Sequence, residues 1–595
     1  MTQTTSRGTG YILCLLVILL LFLALLELSK HTLAGFILAL VCTAIFIALR
    51  LTCLTSVGRG VRFLSFLAFL LLLTGIYFVS KPPVKLVPAT EKSGGVTSVR
   101  HVSQGDLTGV YTEDKAVEIY TGIPYAQPPV GDLRWREPQE SLPWEGVLRA
   151  DHFAPMSMQT RSSALYSSLS QIVGYHDYAI TLSDNYLPPA SEDSLYCNIW
   201  KPAGDVSNLP VLVYVHGGSL QTGQPWYADY SGEGLARKGA VVVNFGYRLG
   251  IFGFFADPAL AEESPNGTTG NYGLLDQIML LKWVQENIAA FGGDPTNVTL
   301  AGESAGSACV SALCTSPLAK GLFRRVLAES STVTAAQPAH SFRTLEEAYQ
   351  AGEDTKKRLG VSSLSELRAL SAEAIVSELA SHHHMTVDGY VLPETPYASY
   401  ARGVHNEEAQ FHGYNLDESA PFILFSQASM KDYESKVRAA FPAPFADEVL
   451  ALFPAQTDTE ARRNWADIYT AVLFTYGHEV WRKEAVANDI PAYIYYFTKQ
   501  NGRLSAWHSG EEVYIYGNIP EDSKLYTDED RALSRQMTAY LLNFMQTGDP
   551  NGEGLPAWEK ADDGEARVML FGNSVEMTQA PYTELYAILD RMYTP

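Results

Sequence analysis

Three uninterrupted apolar stretches, Tyr11–Leu28, Leu33–Leu49 and Phe63–Ser80, restrict the first eighty residues more tightly than any other feature restricts the rest of the chain. Each approaches the ~20 residues a helix needs to cross a ~30 Å hydrocarbon layer. Within them only Glu27, at the end of the first, carries a charge. A segment in lipid must satisfy its own backbone hydrogen bonds, and a helix does so. The expectation is a membrane anchor over residues 1–80 with three transmembrane helices at about 11–28, 33–49 and 63–80. The alternative for the first run is a cleaved signal peptide, but its basic region is only Arg7 and no small-residue cleavage site follows it. With three spans, the N-terminus and the second loop share a side, and together they hold Arg7, Arg50, Arg59 and Arg62 against Lys30 in the first loop. The positive-inside rule places that side in the cytoplasm and everything after Ser80 on the non-cytoplasmic side. Residues 81–95 (KPPVKLVPATEKSGG) are Pro-rich and then Gly-rich, which predicts a semi-rigid linker.

Beyond the linker the chain is acidic. Of its 65 Asp+Glu, only Glu27 precedes residue 81, and the whole carries a net charge of −22. Nucleic-acid binding needs Lys and Arg to neutralise phosphates, so this balance argues against it. A content of 47% hydrophobic and 11% aromatic residues excludes a disordered chain. Three of the six cysteines (Cys14, Cys42, Cys53) lie in or beside the apolar runs, so a disulfide scaffold is not expected.

Residues 96–595 alternate short β-branched runs with helical patterns. Val211–Val215, Ala240–Phe245, Val298–Ala301, Arg325–Ala328 and Ala492–Phe497 read as strands buried on both faces. Asp276–Ala290 puts Ile278, Leu281, Val284 and Ile288 on one helical face and stops at Gly292–Gly293. The alternation predicts an α/β domain, a mainly parallel sheet with helices on both faces, and no linker-like break divides it.

Gly302-Glu303-Ser304-Ala305-Gly306 is a G-x-S-x-G between a strand and a run of small residues, Ala305–Leu313, that reads as a helix. Such a strand–turn–helix elbow holds a serine in a strained turn with its Oγ exposed. His216-Gly217-Gly218-Ser219 directly follows the strand VLVYV. A loop this small lets backbone N–H groups converge on one point, as acyl transfer requires for a developing oxyanion. The donors inferred are the N–H groups of Gly218, Ser219 and Ala305. Taken alone, each motif also fits an ordinary Gly-rich turn.

A serine nucleophile needs a histidine base and an acid to orient it. Downstream of Ser304 lie His340, His382, His383, His384, His405, His412, His478 and His508. The run His382–His384 has no accompanying Cys or close carboxylate set, so it reads as a solvated loop and not a metal site. His478 falls inside a helical pattern. His508, in Ala506–Glu511, follows the strand Ala492–Phe497, and loops at the carboxyl ends of parallel strands are where such sheets carry chemistry. Asp417 and Glu418 follow the candidate strand Gln410–Asn415 and are both candidates for the acid.

Together these residues resemble the type-B carboxylesterase and cholinesterase family of the α/β-hydrolase fold. The resemblance runs from about Val96 to Phe571, through GIPYAQPPVGDLRWREP (122–138), SEDSLYCNIW (191–200), FGGDPTNVTLAGESAG (291–306), VDGYVLP (387–393), NLDES (415–419), WHSG (507–510) and GDPNGEGLPAW (548–558). It implies a serine hydrolase that cleaves carboxylic esters through an acyl-enzyme, with a small-molecule ester as substrate and neither metal nor organic cofactor. It implies Ser304 as nucleophile, His508 as base, Glu418 as the acid in place of Asp417, and Gly218, Ser219 and Ala305 as oxyanion donors. It also implies Arg134 and Glu192 as a structural ion pair.

Two departures stand out. Where secreted members close the loop before the second signature with a disulfide, this chain has Ser157 and Ser194, so the loop Met158–Pro189, which shapes the active-site entrance in relatives, has no bridge. Ser219 replaces the usual Gly or Ala, and its hydroxyl narrows the acyl side. No counterpart of the choline-stacking Trp is found, which argues against cholinesterase activity. The competing reading is a non-catalytic adhesion or binding protein on the same scaffold; the presence of Ser304, Glu418 and His508 together argues against it. A transporter is a third reading, but three spans without an internal charge offer no conduit. The sequence leaves the oligomeric state open.

Overall fold

The computed structural model describes the chain except residues 1, 30, 161–186, 337–341, 377–382, 503 and 594–595. Two compact units result, one containing the three N-terminal helices and the other comprising Val87–Arg161 together with Ala190–Pro595.

In the first unit, α1 (Thr2–Leu28), α2 (Leu33–Leu51) and α3 (Arg59–Val79) are each long and apolar enough to cross a membrane. Leu15, Leu26, Phe36, Ala39, Phe46, Phe69 and Leu73 form the seam between them. Leu20, Leu21, Leu64 and Leu71 point outward and are exposed. A helix bundle with Leu on its outside suits lipid and not water.

The second unit is built on one eleven-stranded sheet. In chain order its strands are β1 (Val110–Tyr111), β2 (Val117–Pro124), β3 (Tyr196–Pro202), β4 (Leu209–Val215), β5 (Val241–Phe245), β6 (Gly293–Glu303), β7 (Arg325–Glu329), β8 (Ala409–Asn415), β9 (Ala492–Phe497), β10 (Arg567–Phe571) and β11 (Val575–Gln579). Across the sheet they run β11-β10-β9-β8-β7-β6-β4-β5-β3-β2-β1. Pairing is parallel from β5 through β10 and antiparallel at both edges.

Period-2 alternation divides each central strand between two cores. Val211, Val213 and Val215 face one cluster with Val243, Leu300 and Val326. Leu212 and Tyr214 face the other with Val242, Leu327 and Phe411. Helices α4 (Tyr272–Asn287) and α5 (Ala305–Leu313) cover the first face, and α6 (Asp528–Thr547) covers the second through Met537, Tyr540, Leu541 and Phe544. This is the α/β-hydrolase arrangement, helices on both faces of a mainly parallel sheet. Each apolar side chain fully buried here stabilises the fold by roughly 1.5–3 kcal/mol.

The strand expectations hold to within a few residues, apart from β6, which starts at Gly293, five residues before the expected Val298. The helix expected from Asp276 begins at Tyr272, because Tyr272, Leu274 and Leu275 are buried against the sheet before the expected periodicity starts. It is buried nearly all round, Asp276 and Gln277 included, so its one-faced pattern understates its burial. Asp276 is neutralised there by Arg248, through Nε to Oδ2 at 2.8 Å and Nη2 to Oδ1 at 2.7 Å.

The solvated-loop expectation for His382–His384 needs correction. His382 lies outside the described residues, as does His340, but His383 is fully buried against the Phe255 ring and within 3.1 Å of Thr355 Oγ1. Most of the loop Met158–Pro189 also lies outside the described residues. Its two anchor points do not: Ser194 Oγ donates to Ser157 Oγ at 3.1 Å, and both serines are buried.

Candidate active site

Strand order reverses at β4. The chain leaves it toward β5 on one side and returns to its other side as β6. Crevices for ligands in open parallel sheets lie beyond the carboxyl ends of the strands at such a reversal. His216–Ser219 continues from β4 and Ser304 from β6 into this crevice.

Ser304 has φ 56° and ψ −124°, a strained conformation for a residue with a side chain, and it is immediately followed by α5. Its backbone is tied down at once: Ser304 N–H donates to Glu329 O at 2.8 Å, and Ser304 O accepts from Ala308 N–H at 2.9 Å. The flanking glycines are demanded by contact. A Cβ on Gly306 would lie 2.0 Å from Val215 O, and one on Gly217 would lie 2.9 Å from Ser304 Cβ. The loop after β4 can therefore pass against the serine only without side chains.

That loop turns through three consecutive positive φ values, Gly218 at 108°, Ser219 at 57° and Leu220 at 61°. Among the described residues no hydrogen bond uses the N–H of Gly218 or Ser219. Ala305 opens α5, and the first N–H groups of a helix have no acceptor within it. Three backbone donors thus remain available around Ser304.

The other two candidates meet through an extension of sheet pairing. Past the ends of β8 and β9 the two loops still bond to each other: Leu416 N–H donates to Phe497 O at 2.9 Å, and Asp417 N–H to Ala506 O at 2.8 Å. Asp417 and Trp507 form a parallel bridge. One residue further along each loop, His508 Nδ1 and Glu418 Oε2 stand 2.6 Å apart. Glu418 is fully buried and its other oxygen accepts Asn415 N–H at 2.7 Å. Burial pushes the Glu418 carboxyl up to about 8, against the hydrogen bonds from Ser330 and Asn415. Asp417 instead faces Gln500 and Ser505 and does not touch the imidazole. No hydrogen bond joins Ser304 Oγ to His508 among the described residues. Nε2 of His508 lies 3.1 Å from Glu303 Oε1, which also accepts Ser509 Oγ at 2.7 Å.

A family model for the carboxylesterase family matches residues 96–589. The chain belongs to the carboxylesterase family. It is 32% identical to a fumonisin B1 esterase of Sphingopyxis macrogoltabida over 82% of its own length and 89% of that protein. It is 30% identical to the para-nitrobenzyl esterase of Bacillus subtilis (strain 168) over 80% and 95%. A solved PNB esterase structure superposes with a TM-score of 0.68 at 28% identity, covering 83% of this chain and 99% of that one. The protein is a carboxylic ester hydrolase with the α/β-hydrolase fold.

This carboxylesterase holds further acids that the sequence did not single out. Glu303, Glu329, Glu511 and Glu512 are buried with Glu418. Tyr516 donates to Glu329, Tyr214 to Glu512, and Tyr495 to Glu511 at 2.9 Å. Burial pushes Glu303 and Glu511 up to about 7 and Glu329 and Glu512 well above the carboxylate range. Glu511 and Glu512 carry no sequence signal of their burial, which only the packing of tyrosines around them reveals. Glu303 had a signal, its place inside the G-x-S-x-G. The Arg134–Glu192 pair is bidentate at 2.5 and 2.6 Å, and Arg134 Nη1 also donates to Arg368 O and Leu370 O. It ties these loops together.

Proposed function

We propose that this carboxylesterase works by a Ser304–His508–Glu418 triad through an acyl-enzyme, with the N–H groups of Gly218, Ser219 and Ala305 as its oxyanion hole. The observation that carries this reading is the 2.6 Å contact between His508 Nδ1 and buried Glu418 beyond two adjoining parallel strands, together with the strained elbow at Ser304.

Glu418 fixes the imidazole so that Nε2 is the basic nitrogen. As Ser304 Oγ attacks the ester carbonyl, Nε2 takes its proton and the carbonyl oxygen becomes an oxyanion held by the backbone donors, each worth ~3–4 kcal/mol of barrier. The imidazolium then protonates the leaving alcohol. Water repeats the sequence on the acyl-enzyme, returning the proton to Nε2 and releasing the acid. Glu303, beside Nε2, stabilises the imidazolium while it exists.

In this reading residues 1–80 are a three-helix membrane anchor, 81–95 a linker and 96–595 the catalytic domain. The basic residues Arg7, Arg50, Arg59 and Arg62 support a catalytic domain on the non-cytoplasmic side.

A fluorophosphonate probe applied to the folded full-length chain should label Ser304, and Ser304→Ala should lose both labelling and hydrolysis of p-nitrophenyl acetate. Glu418→Gln should retain labelling at a rate reduced by about 10³–10⁴. Equal hydrolysis by wild type and Ser304→Ala would defeat the assignment, and absence of any ester turnover would favour a binding role for the scaffold.

A further inference from the structure

At the end of the three-helix unit away from Glu27, two arginines and a tyrosine come together with no acid beside them. Tyr11 lies on α1, Arg50 closes α2, and Arg62 is in the first turn of α3. Arg50 Nη1 donates to Leu54 O at 3.4 Å and Arg62 Nη2 to Thr55 O at 3.3 Å. The two carbonyls belong to consecutive residues, whose Cα atoms are about 3.8 Å apart. The Arg50 guanidinium carbon stands 6.0 Å from the centre of the Tyr11 ring. That ring meets Phe66 edge-on with centroids 6.4 Å apart, and Phe66 follows Arg62 by one turn on the same face of α3.

Arginines at a membrane boundary are ordinarily exposed and hydrated, as Arg59 is. Arg50 is only 8% exposed. Tyr11 Oη, Arg50 Nε and Arg62 Nε are all buried, and among the described residues none of the three atoms has a hydrogen-bond partner. The single acid of residues 1–80 is Glu27. It lies further along α1 than Tyr11 by about 24 Å, at 1.5 Å per residue. Buried donors without acceptors cost free energy, and guanidinium groups held at one loop repel each other. An oxyanion that accepts from several N–H and O–H groups at once relieves both, and phosphate suits arginine best.

Depth in the bilayer identifies the source of that phosphate. Tyr11 begins the first apolar run, Arg50 follows the second and Arg62 immediately precedes the third. All three therefore stand where the apolar layer gives way to lipid headgroups. We propose that Tyr11, Arg50 and Arg62 form a binding site for the phosphate of an anionic phospholipid. A zwitterionic lipid is disfavoured, because its ammonium group would meet arginines and no carboxylate. The site rests on the reading of residues 1–80 as a membrane anchor.

The test uses the full-length chain in neutral detergent, titrated with phosphatidylglycerol or phosphatidylcholine, with bound lipid counted by native mass spectrometry. A basic side chain beside an anionic headgroup is worth about fivefold in affinity. Wild type should bind phosphatidylglycerol about 25-fold more tightly than phosphatidylcholine. Arg50→Gln and Arg62→Gln should each weaken phosphatidylglycerol binding about fivefold. Tyr11→Phe, which removes one hydroxyl and keeps the packed ring, should weaken it by about two- to tenfold and covers the case in which an arginine variant fails to fold. Arg59→Gln, at the exposed arginine of the same end, should bind as wild type does. Equal binding of the two lipids by wild type, undiminished binding in Tyr11→Phe and the folded arginine variants, or a loss in Arg59→Gln as large as in Arg50→Gln overturns the site. Inorganic phosphate should raise the melting temperature less than phosphatidylglycerol does; an equal rise would assign the site to the free ion and overturn the lipid. Release of the chain from membranes by alkaline carbonate would overturn the anchor instead, so the two failures are distinct.

Discussion

Replacing Ser157 and Ser194 by cysteine should create a stabilising cross-link where this chain has a pair of hydroxyls. Their oxygens already lie 3.1 Å apart on rotamers that face each other, and the longer carbon–sulfur bonds close most of the remaining distance to a ~2.05 Å sulfur–sulfur bond. The bridge would close a loop of about 38 residues, and the chain-entropy relation gives roughly 4 kcal/mol for that length. Something is lost in return. Ser157 Oγ donates to Tyr247 O at 2.7 Å, and leaving that carbonyl without a partner costs about 1 kcal/mol. The net gain is about 3 kcal/mol. A body of about 500 residues has an unfolding entropy near 1 kcal/mol per degree, so the melting temperature should rise by about 3 °C. The assay is differential scanning calorimetry of the double variant with and without a phosphine reductant. Wild type, whose described cysteines are all free, serves as the control for reductant effects. Folded, oxidised protein with two free thiols at 157 and 194 by peptide mass mapping would refute the geometry. A bridge that forms without raising the melting temperature would refute the entropic argument.

Three further outcomes follow from the site and its surroundings. Glu303→Leu removes the carboxyl 3.1 Å from His508 Nε2 and the acceptor of Ser509 Oγ, so kcat on p-nitrophenyl acetate should fall several-fold while Glu303→Gln retains most of it; equal kcat in all three contradicts a positioning role for this group. Gly306→Ala would drive a Cβ to 2.0 Å from Val215 O and should abolish fluorophosphonate labelling, with circular dichroism reporting whether the sheet survives. Stability should peak on the acid side of neutrality. Burial holds His216 down to about 4, His412 down to about 3 and His478 well below the ordinary imidazole value, so their contribution is intact above about pH 6.5 and is lost as pH falls, by ~1.4 kcal/mol per unit for each. Glu303 and Glu511 at about 7 and Glu418 at about 8 act oppositely: the folded protein keeps protons that the unfolded chain sheds above about pH 4.5, so stability drops as pH rises toward 8. With Glu329 and Glu512 also raised, five acids outnumber the three histidines, so urea midpoints should fall from about pH 4.5 to about 8.5, and midpoints that rise across this range would show that other groups dominate.

What could be read in the chain, and what could not, divides along a physical line. Strands such as Ala492–Phe497 were legible because burial on both faces leaves an unbroken apolar run, and the helix Ala305–Leu313 because small residues must follow a serine elbow. The three N-terminal helices were legible because uninterrupted apolar runs of that length admit few other structures. The choice between Asp417 and Glu418 was not decided by pattern, since both follow the same strand. The bridge between Asp417 and Trp507 decides which of the two faces the imidazole, by setting the register one residue before Glu418. The buried state of His383 was missed because a run of three histidines looks polar, while the Phe255 ring that covers one of them is more than a hundred residues away.

The acids under the site were the least legible feature, and their packing governs how much charge the interior holds. Five buried carboxylates that act on one another cannot all be ionised, because each added charge in a dry interior is opposed by those already there. The tyrosines resolve this by position. Tyr214 and Tyr516 hold Glu512 and Glu329, the two acids pushed furthest up, and a protonated carboxyl beside a phenol donor is neutral. Glu418 lies on the Nδ1 side of His508 and Glu303 on its Nε2 side, so a carboxyl group flanks each edge of the ring. Keeping Glu329 and Glu512 neutral thus limits the charge that accumulates in the interior beneath the site.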